Sequence, residues 1–112
     1  MIGPAASVKI TALGDSRRRE IFEILARGPL SVAGIAAQLP VTRPAVSQHL
    51  KVLRDAGLVT SRTEGTRHMY QLDASGIAAL RDYFDSLWRH ALDDFKRAAE
   101  QSYAQHQQQE KA

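Results

Sequence analysis

The sequence contains no cysteine among its 112 residues. This absence excludes both a disulfide framework and any metal site built on thiolates. Four histidines remain as potential nitrogen ligands, and they are widely spaced along the chain.

Long apolar runs are also missing. No segment approaches the roughly 20 residues that a transmembrane helix needs. The first ten residues, MIGPAASVKI, lack the basic start and apolar run of a signal peptide. We therefore expect a cytoplasmic protein with no membrane partner. With 112 residues and 44% hydrophobic content, the chain is expected to form a single domain, residues 1–112, with a modest core.

Motifs for catalysis are absent as well. The sequence has neither a Gly-rich phosphate loop nor a G-x-S-x-G motif. Ser47 and His49 are two residues apart on a predicted helix, so they point in different directions and cannot form a nucleophile–base pair. The sequence therefore predicts a protein that is not an enzyme.

The charge is modest overall but unevenly distributed. Residues 1–72 carry ten Lys and Arg against five Asp and Glu, whereas residues 73–112 carry five against seven, which gives the net charge of +3. A basic excess on one part of a chain is what binding to the DNA backbone requires.

Periodicity and capping signals predict the order helix, helix, helix, helix, hairpin, long helix. After a loose leader at 1–6 come helices at 7–13, 16 to about 27, 32–38 and 43–55, with residues 32–56 as a helix-turn-helix. The wing is predicted at 58–72, with its turn at Glu64 and Gly65. A dimerisation helix at 76–102 and a disordered polar tail at 103–112 complete the chain. The predicted fold class is mainly α with a small β-hairpin, a winged helix-turn-helix.

The helix over residues 43–55 has the pattern of a recognition helix. Val46, Leu50 and Leu53 lie at i, i+4 and i+7 and form one apolar face. The polar and flanking positions supply five candidate DNA-binding residues: Arg43, Ser47, Gln48, His49 and Lys51. Gln48 can pair with adenine edges and Ser47 with several bases. Arg43 can reach a guanine or a phosphate, and Lys51 is expected to contact phosphate.

Two arginines flank the predicted tip of the hairpin. Arg62 and Arg67 can enter a minor groove or hold phosphates, which makes them candidate DNA-binding residues. Glu64 at the tip would be repelled by phosphate, so deep insertion of the tip is not expected.

The last helix has an apolar face that is long for a small domain. It runs through Ile77, Leu80, Phe84, Leu87, Ala91, Phe95 and Ala98, and Tyr83, Trp88, Leu92 and Ala99 widen it. Such a face predicts a core shared between two chains. A two-fold homodimer would place two recognition helices about 34 Å apart on double-stranded DNA and would recognise an inverted repeat.

Three segments in this order resemble the ArsR/SmtB family of bacterial transcription regulators. They are GDSRRREIFEILARGPLSVAGIAAQL, RPAVSQHLKVLRDAGLV and EGTRHMYQL. The resemblance covers about residues 12–95. It implies a homodimer joined through the first and last helices that binds an operator, usually as a repressor released by an effector. His49 resembles a DNA-facing position of the family.

The sequence departs from the metal-sensing members of that family. Their Cys-x-Cys site is missing, and their last-helix site, started at Asp82, falls on Phe84, Phe95 and Ala98, which cannot bind metal. The chain resembles a subgroup without the usual metal-site motifs, so no cofactor is predicted. His90 with Asp93 and Asp94 is a candidate site for nickel or zinc.

The sequence is also compatible with two alternatives to a regulator without a metal site. One is a nickel- or zinc-responsive regulator acting through His90 and its neighbouring acids. The other is a winged-helix protein-interaction module. The polar outer face of the predicted recognition helix speaks against the latter, because an interaction helix would present apolar anchors there.

Overall fold

Five helices and one hairpin follow one another along residues 2–111, the part of the chain that the computed structural model describes. In chain order they are α1 (Pro4–Leu13), α2 (Ser16–Leu25), α3 (Val32–Ala36), α4 (Arg43–Asp55), β1 (Val59–Glu64), β2 (Arg67–Leu72) and α5 (Ala74–Lys111). This order confirms the predicted fold class, in which a helix-turn-helix formed by α3 and α4 precedes an antiparallel wing.

Side-chain caps fix where the short helices begin. The Asp15 carboxylate accepts hydrogen bonds from the backbone N–H groups of Arg17 and Arg18 at 2.9 and 3.0 Å. The Ser31 hydroxyl caps α3, and the Thr42 hydroxyl accepts from the N–H of Ala45 at 3.3 Å to cap α4. Each cap satisfies an N–H group that has no partner within its own helix, so the helices can follow one another after short turns.

One core joins the first four helices, the wing and the beginning of α5. Its largest fully buried side chains are Ile21, Ile35, Val46, Leu50, Leu53 and Leu58. They come from α2, α3, α4 and the residue just before β1. The recognition helix therefore rests on α2 and α3 through a continuous apolar face.

The wing is a short antiparallel hairpin whose base is attached to the body. Val59 pairs with Leu72 at one end and Glu64 with Arg67 at the other, so the turn falls at Gly65 and Thr66, one residue later than predicted. Gly65 has φ +61°, which suits the first turn position of a type II′ hairpin. At the base, Leu30 and Tyr70 exchange two backbone hydrogen bonds of 3.0 and 2.8 Å.

The N-terminal leader predicted at 1–6 is wrong in part, because α1 already begins at Pro4. Proline is favoured in the first turn of a helix, where its missing N–H has no partner to lose. Met1 lies outside the described residues. The third helix is also shorter than predicted and ends at Ala36, with the next N–H groups closing a tight last turn.

The bounds of the last helix differ more from the prediction. Helix α5 begins at Ala74, directly after its cap Asp73, and continues to Lys111, whereas the sequence predicted residues 76–102 and a disordered tail at 103–112. The tail is rich in Ala, Gln, Glu and Lys, which have high helix propensity even though their low complexity suggested disorder. The Gln107 side chain also donates to the Tyr103 hydroxyl one turn earlier, at 2.8 Å. Ala112 lies outside the described residues.

Two units can be distinguished by their internal contacts. One comprises the residues up to Leu80, and the other comprises α5 from Arg81 onward. Within the described residues, no helix combines the length and the apolar character that crossing a bilayer demands.

Candidate nucleic-acid interface

Helix α4 separates a buried face from an exposed face. Val46 and Leu53 are 0% exposed and Leu50 is 1% exposed. Four of the five candidate DNA-binding residues of this helix are exposed: Ser47, Gln48 and Lys51 lie away from the buried face, and Arg43 lies on the flank at the start of the helix. The apolar face holds the helix against the body, so the polar side chains are presented to solvent on a rigid element.

His49 occupies the flank of α4 rather than its outermost face. It is half-buried and lies near Asp15, the cap of α2. The pKa of Asp15 is lowered chiefly by the hydrogen bond from the backbone N–H of Arg18, to which the Arg18 charge adds, and His49 makes the smallest contribution. His49 therefore lies where α2 begins, at the edge of the surface that the other four residues form.

The carboxyl end of α4 is held by a close approach of two glycines. Gly57 ends the helix with φ +78°, and its N–H donates to the Arg54 carbonyl at 2.9 Å. A Cβ on Gly76, in the first turn of α5, would lie 1.8 Å from the Gly57 carbonyl oxygen. The absence of a side chain at Gly76 thus lets the start of α5 contact the end of the recognition helix directly.

A buried lysine of α1 joins the same junction. Lys9 is only 9% exposed, and its ammonium nitrogen lies 3.3 Å from the point where a Cβ on Gly57 would be. A cation at this place is favourable because the last carbonyls of a helix carry partial negative charge. Asp73, which caps α5, has a lowered pKa, chiefly because the Ser75 hydroxyl donates to it, with the Lys9 charge contributing. Sequence reasoning had not identified Lys9.

The two wing arginines share one face of the hairpin. Side chains alternate along a strand, so Arg62, Glu64 and, on the paired strand, Arg67 point to the same side. Arg62 forms an ion pair with Glu64 at 2.7 Å and donates to Gln71 at 3.3 Å. Arg67 has no ion pair with any of the described residues, which leaves its charge available. Their role in DNA binding stays a prediction.

The other face of the hairpin forms a groove with α4. This groove, called the wing groove below, has a volume of about 540 Å³ and is lined by Ser47, Lys51, Arg54, Asp55 and Tyr70. Arg54 and Tyr70 were not among the predicted site residues. The position of Arg54 on the flank of α4 could indicate a role in binding. Nothing in the sequence indicated Tyr70, because its place depends on its pairing with Leu30.

The candidate metal ligands His90, Asp93 and Asp94 lie in the part of α5 that follows Arg81. His90 and Asp93 line a shallow depression with Ser86 and Arg89. Asp94 is instead engaged in an ion pair with Arg97. Between residues 2 and 111, no three His, Asp or Glu side chains come together in an arrangement that could hold a metal ion. The nickel or zinc site therefore stays a prediction that would need ligands from elsewhere.

Comparison with known proteins identifies relatives over most of the chain. The sequence profile of the bacterial regulatory protein arsR family matches residues 15–61. The HTH-type transcriptional regulator Rv2034 of Mycobacterium tuberculosis is 59% identical over 81 residues, which are 72% of this chain and 76% of that protein. The arsenical resistance operon repressor of Staphylococcus aureus is 37% identical over 67 residues, which are 60% of this chain and 64% of that protein.

A solved structure shows the same architecture. It is the solution structure of a homodimeric winged helix-turn-helix DNA-binding domain from Mycobacterium bovis, described as a possible ArsR-family transcriptional regulator. It matches with a TM-score of 0.63 and 29% sequence identity, over 80% of this chain and 82% of that chain. Together with the described fold, these similarities show that the chain belongs to the ArsR family of bacterial transcriptional regulators, and so to a class of regulators rather than enzymes.

Proposed function

We propose that the chain is a homodimeric, sequence-specific DNA-binding repressor that recognises an inverted-repeat operator. The observation that carries this proposal is the division of α4 into a fully buried apolar face and an exposed face with Ser47, Gln48 and Lys51, while Arg43 is exposed at the start of the helix. The start of such a helix enters the major groove, where Gln48 can read an adenine edge. Repressor action follows the Staphylococcus aureus relative, which is named as an operon repressor.

Dimer formation is supported by exposed apolar side chains on α5. Phe84, Leu87, Trp88, Leu92 and Phe95, called the α5 stripe below, are each between 48% and 74% exposed. Exposed apolar side chains that lie together on one face favour association. The related Mycobacterium bovis domain is described as homodimeric. A regulator that acts on chromosomal DNA is expected in the cytoplasm.

The proposal is tested by fluorescence anisotropy at physiological salt. DNA from upstream of the protein's own gene is compared with a scrambled duplex of the same length. We expect a Kd for the upstream DNA of about 10⁻⁸ M or lower and much weaker binding to the scrambled duplex. Equal and weak binding to both, repeated with several genomic fragments, would contradict a sequence-specific regulator and favour the protein-interaction module.

The same titration tests the metal-responsive alternative. Nickel or zinc is added to the complex, and the His90→Ala variant serves as the control. A metal-dependent change in affinity that His90→Ala abolishes would support a sensor role for His90 and its acidic neighbours. An unchanged affinity would leave DNA binding without a metal trigger at this position.

A further inference from the structure

We propose that the wing groove holds a phosphate group of the DNA backbone, with Arg54 and Tyr70 as its main ligands and Lys51 beside them. This inference rests on the proposed DNA binding and deepens it, because it adds two residues that the sequence had not identified. It also assigns Asp55 the opposite role, that of weakening the attraction for DNA.

The groove wall on the helix side is a regular stripe. Ser47, Lys51 and Arg54 lie at i, i+4 and i+7 of α4, which places them above one another on one face. The beginning of a recognition helix contacts base edges, whereas its later turns lie closer to the backbone. Lys51 and Arg54 belong to those later turns, so their position suits a phosphate better than a base.

The opposite wall is held rigidly. Tyr70 pairs with Ser61 in the hairpin and exchanges two backbone hydrogen bonds with Leu30, so its strand is bonded on both edges. Its ring packs partly against the core. The hydroxyl of Tyr70 makes no hydrogen bond with any residue between 2 and 111, which leaves it able to donate to an oxygen in the groove. A preorganised donor loses little freedom on binding.

The charges in the groove favour an anion. The Arg54 side chain is exposed and forms no ion pair within the described part of the chain, and a guanidinium matches the oxygens of a phosphate with two parallel hydrogen bonds. Lys51 lies 3.6 Å from Asp55, and both side chains are more than two-thirds exposed. Two cations against one carboxylate leave a net positive groove.

A substitution of Asp55 tests the proposal because it is expected to strengthen DNA binding rather than weaken it. Asp55 is the last residue of α4, where a negative charge is unfavourable, and it faces the same groove as the two cations. Replacing it by asparagine removes repulsion of the phosphate and releases Lys51. Asp55→Asn is therefore expected to tighten binding about 3- to 5-fold on any duplex. A variant that merely disturbed the fold would weaken binding instead.

The main experiment measures anisotropy of Arg54→Gln, Tyr70→Phe and the double variant on upstream and scrambled duplexes over a range of salt concentrations. Arg54→Gln should weaken binding to both duplexes at least about 10-fold per half-site and lower the salt slope by about 0.9 for each phosphate that is no longer neutralised. Tyr70→Phe should weaken both about 5-fold per half-site without changing the slope, because the hydroxyl is uncharged.

The double variant decides whether the two side chains hold the same phosphate. If they do, its loss of affinity is smaller than the product of the two single losses, because each single variant already weakens the shared interaction. A loss of affinity equal to the product of the two single losses would show that Arg54 and Tyr70 do not bind the same phosphate. Arg89→Gln and Tyr103→Phe, which make the same chemical changes on α5, are the matched controls and should leave both the affinity and the slope unchanged.

The outcomes separate this proposal from the proposed function. If the unaltered chain binds selectively and both Arg54→Gln and Tyr70→Phe behave like the controls, the protein is a sequence-specific regulator but the wing groove is not a phosphate-binding site. If binding is unselective and the two variants weaken it, the phosphate-binding site is supported and the sequence-specific regulator is contradicted. Failure of the unaltered chain to bind any duplex would overturn both. Circular dichroism melting of each variant establishes that it is folded at the assay temperature.

Discussion

Individual side chains of the candidate interface differ in what they can contribute to DNA binding. Gln48 is exposed on α4 and carries an amide that can form two hydrogen bonds with one base edge. Arg67 offers a charge, which attracts any phosphate whatever the sequence. Arg62 is already held by Glu64 and Gln71. These differences predict distinct effects on specificity and on salt dependence.

Gln48→Ala should cost about 1–3 kcal/mol of binding free energy on the operator and relax the preference at one base position. The reason is that bidentate pairing with a base is removed while the phosphate contacts remain. Anisotropy on the operator and on variants of each base pair provides the measurement. Equal losses on operator and scrambled DNA would remove Gln48 from base recognition.

Arg67→Ala should behave in the opposite way. It is expected to weaken binding to operator and scrambled DNA alike and to reduce the salt slope by about 1 for each phosphate that Arg67 neutralises. Arg62→Ala is the matched control on the same hairpin face, and it should have the smaller effect because Arg62 is engaged in an ion pair. If the salt slope of Arg67→Ala is unchanged, Arg67 does not contact phosphate.

At the scale of whole elements, the junction between α4 and α5 determines how the recognition helix is held. The end of α4 contacts the start of α5 through Gly57 and Gly76, and Lys9 of α1 lies against the same point. Asp73 connects β2 to α5 as a cap, and its own N–H donates to the Leu58 carbonyl at 2.9 Å. Three helices and the wing are therefore joined within one small region.

Gly76→Ala tests this junction because helix propensity and close packing predict opposite changes in the free energy of unfolding. Helix propensity alone predicts that alanine in place of glycine stabilises a helix by about 0.5–1 kcal/mol. The added Cβ would lie 1.8 Å from the Gly57 carbonyl oxygen, so a backbone must shift. We expect the free energy of unfolding, measured by urea denaturation, to fall by at least about 2 kcal/mol. A stabilised variant would show that the two helices do not approach so closely in solution.

The helix caps predict how stability depends on pH. The pKa of Asp73 is lowered below the ordinary value of a carboxyl group, first by the Ser75 hydroxyl and then by the Gly76 N–H, so its ionised form is stabilised in the folded chain. The contribution of Asp73 is therefore complete above the unfolded-state pKa and is lost as the pH falls through the lowered folded pKa. The pKa of Asp15 is lowered in the same direction, chiefly by the Arg18 N–H.

Urea denaturation at a series of pH values from about 6 down to about 3 measures this dependence. The unaltered chain should lose stability on acidification below about pH 4. In Asp73→Asn, which keeps an oxygen that can cap the helix, the profile should be less steep. Ser75→Ala should have a similar but smaller effect, since it removes the first cause of the shift. Parallel profiles for all three proteins would contradict the assigned role of the cap.

For the protein as a whole, the α5 stripe holds five of the nine large hydrophobic side chains that are exposed in the described part of the chain. Its five side chains occupy one side of a helix whose other positions are mostly charged or polar. Burial of such side chains between two chains contributes roughly 25 cal/mol for each Å² removed from water. Operator recognition by a dimer also links two half-sites, which raises the affinity beyond that of one recognition helix.

Leu92→Glu should convert the protein to a monomer in analytical ultracentrifugation, because it places a charge within the stripe. The variant should remain helical, since Leu92 is 48% exposed. Operator affinity should fall about 100-fold or more as the two half-sites are uncoupled. Ser86→Glu introduces the same charge on the opposite face of α5 and is expected to preserve the dimer. A dimeric Leu92→Glu variant would contradict an interface formed by the stripe.

The features that local interactions form were predictable from the order of the amino acids. The order of the elements, the caps Asp15, Ser31 and Thr42, and the buried face of α4 all follow from hydrogen bonds or spacings within a few residues. The same local reasoning was wrong at Pro4 and beyond Ser102, where helix propensity outweighed the expectation of disorder.

The features that bring distant residues together depend on the packing of the folded chain. The pairing of Leu30 with Tyr70, the approach of Gly57 to Gly76 and the burial of Lys9 involve side chains and backbones from different elements. No periodicity or capping pattern marks such contacts, because they depend on how packed elements meet in space. The wing groove exists for this reason: its two walls, Arg54 and Tyr70, become neighbours only once the wing is bonded to the body.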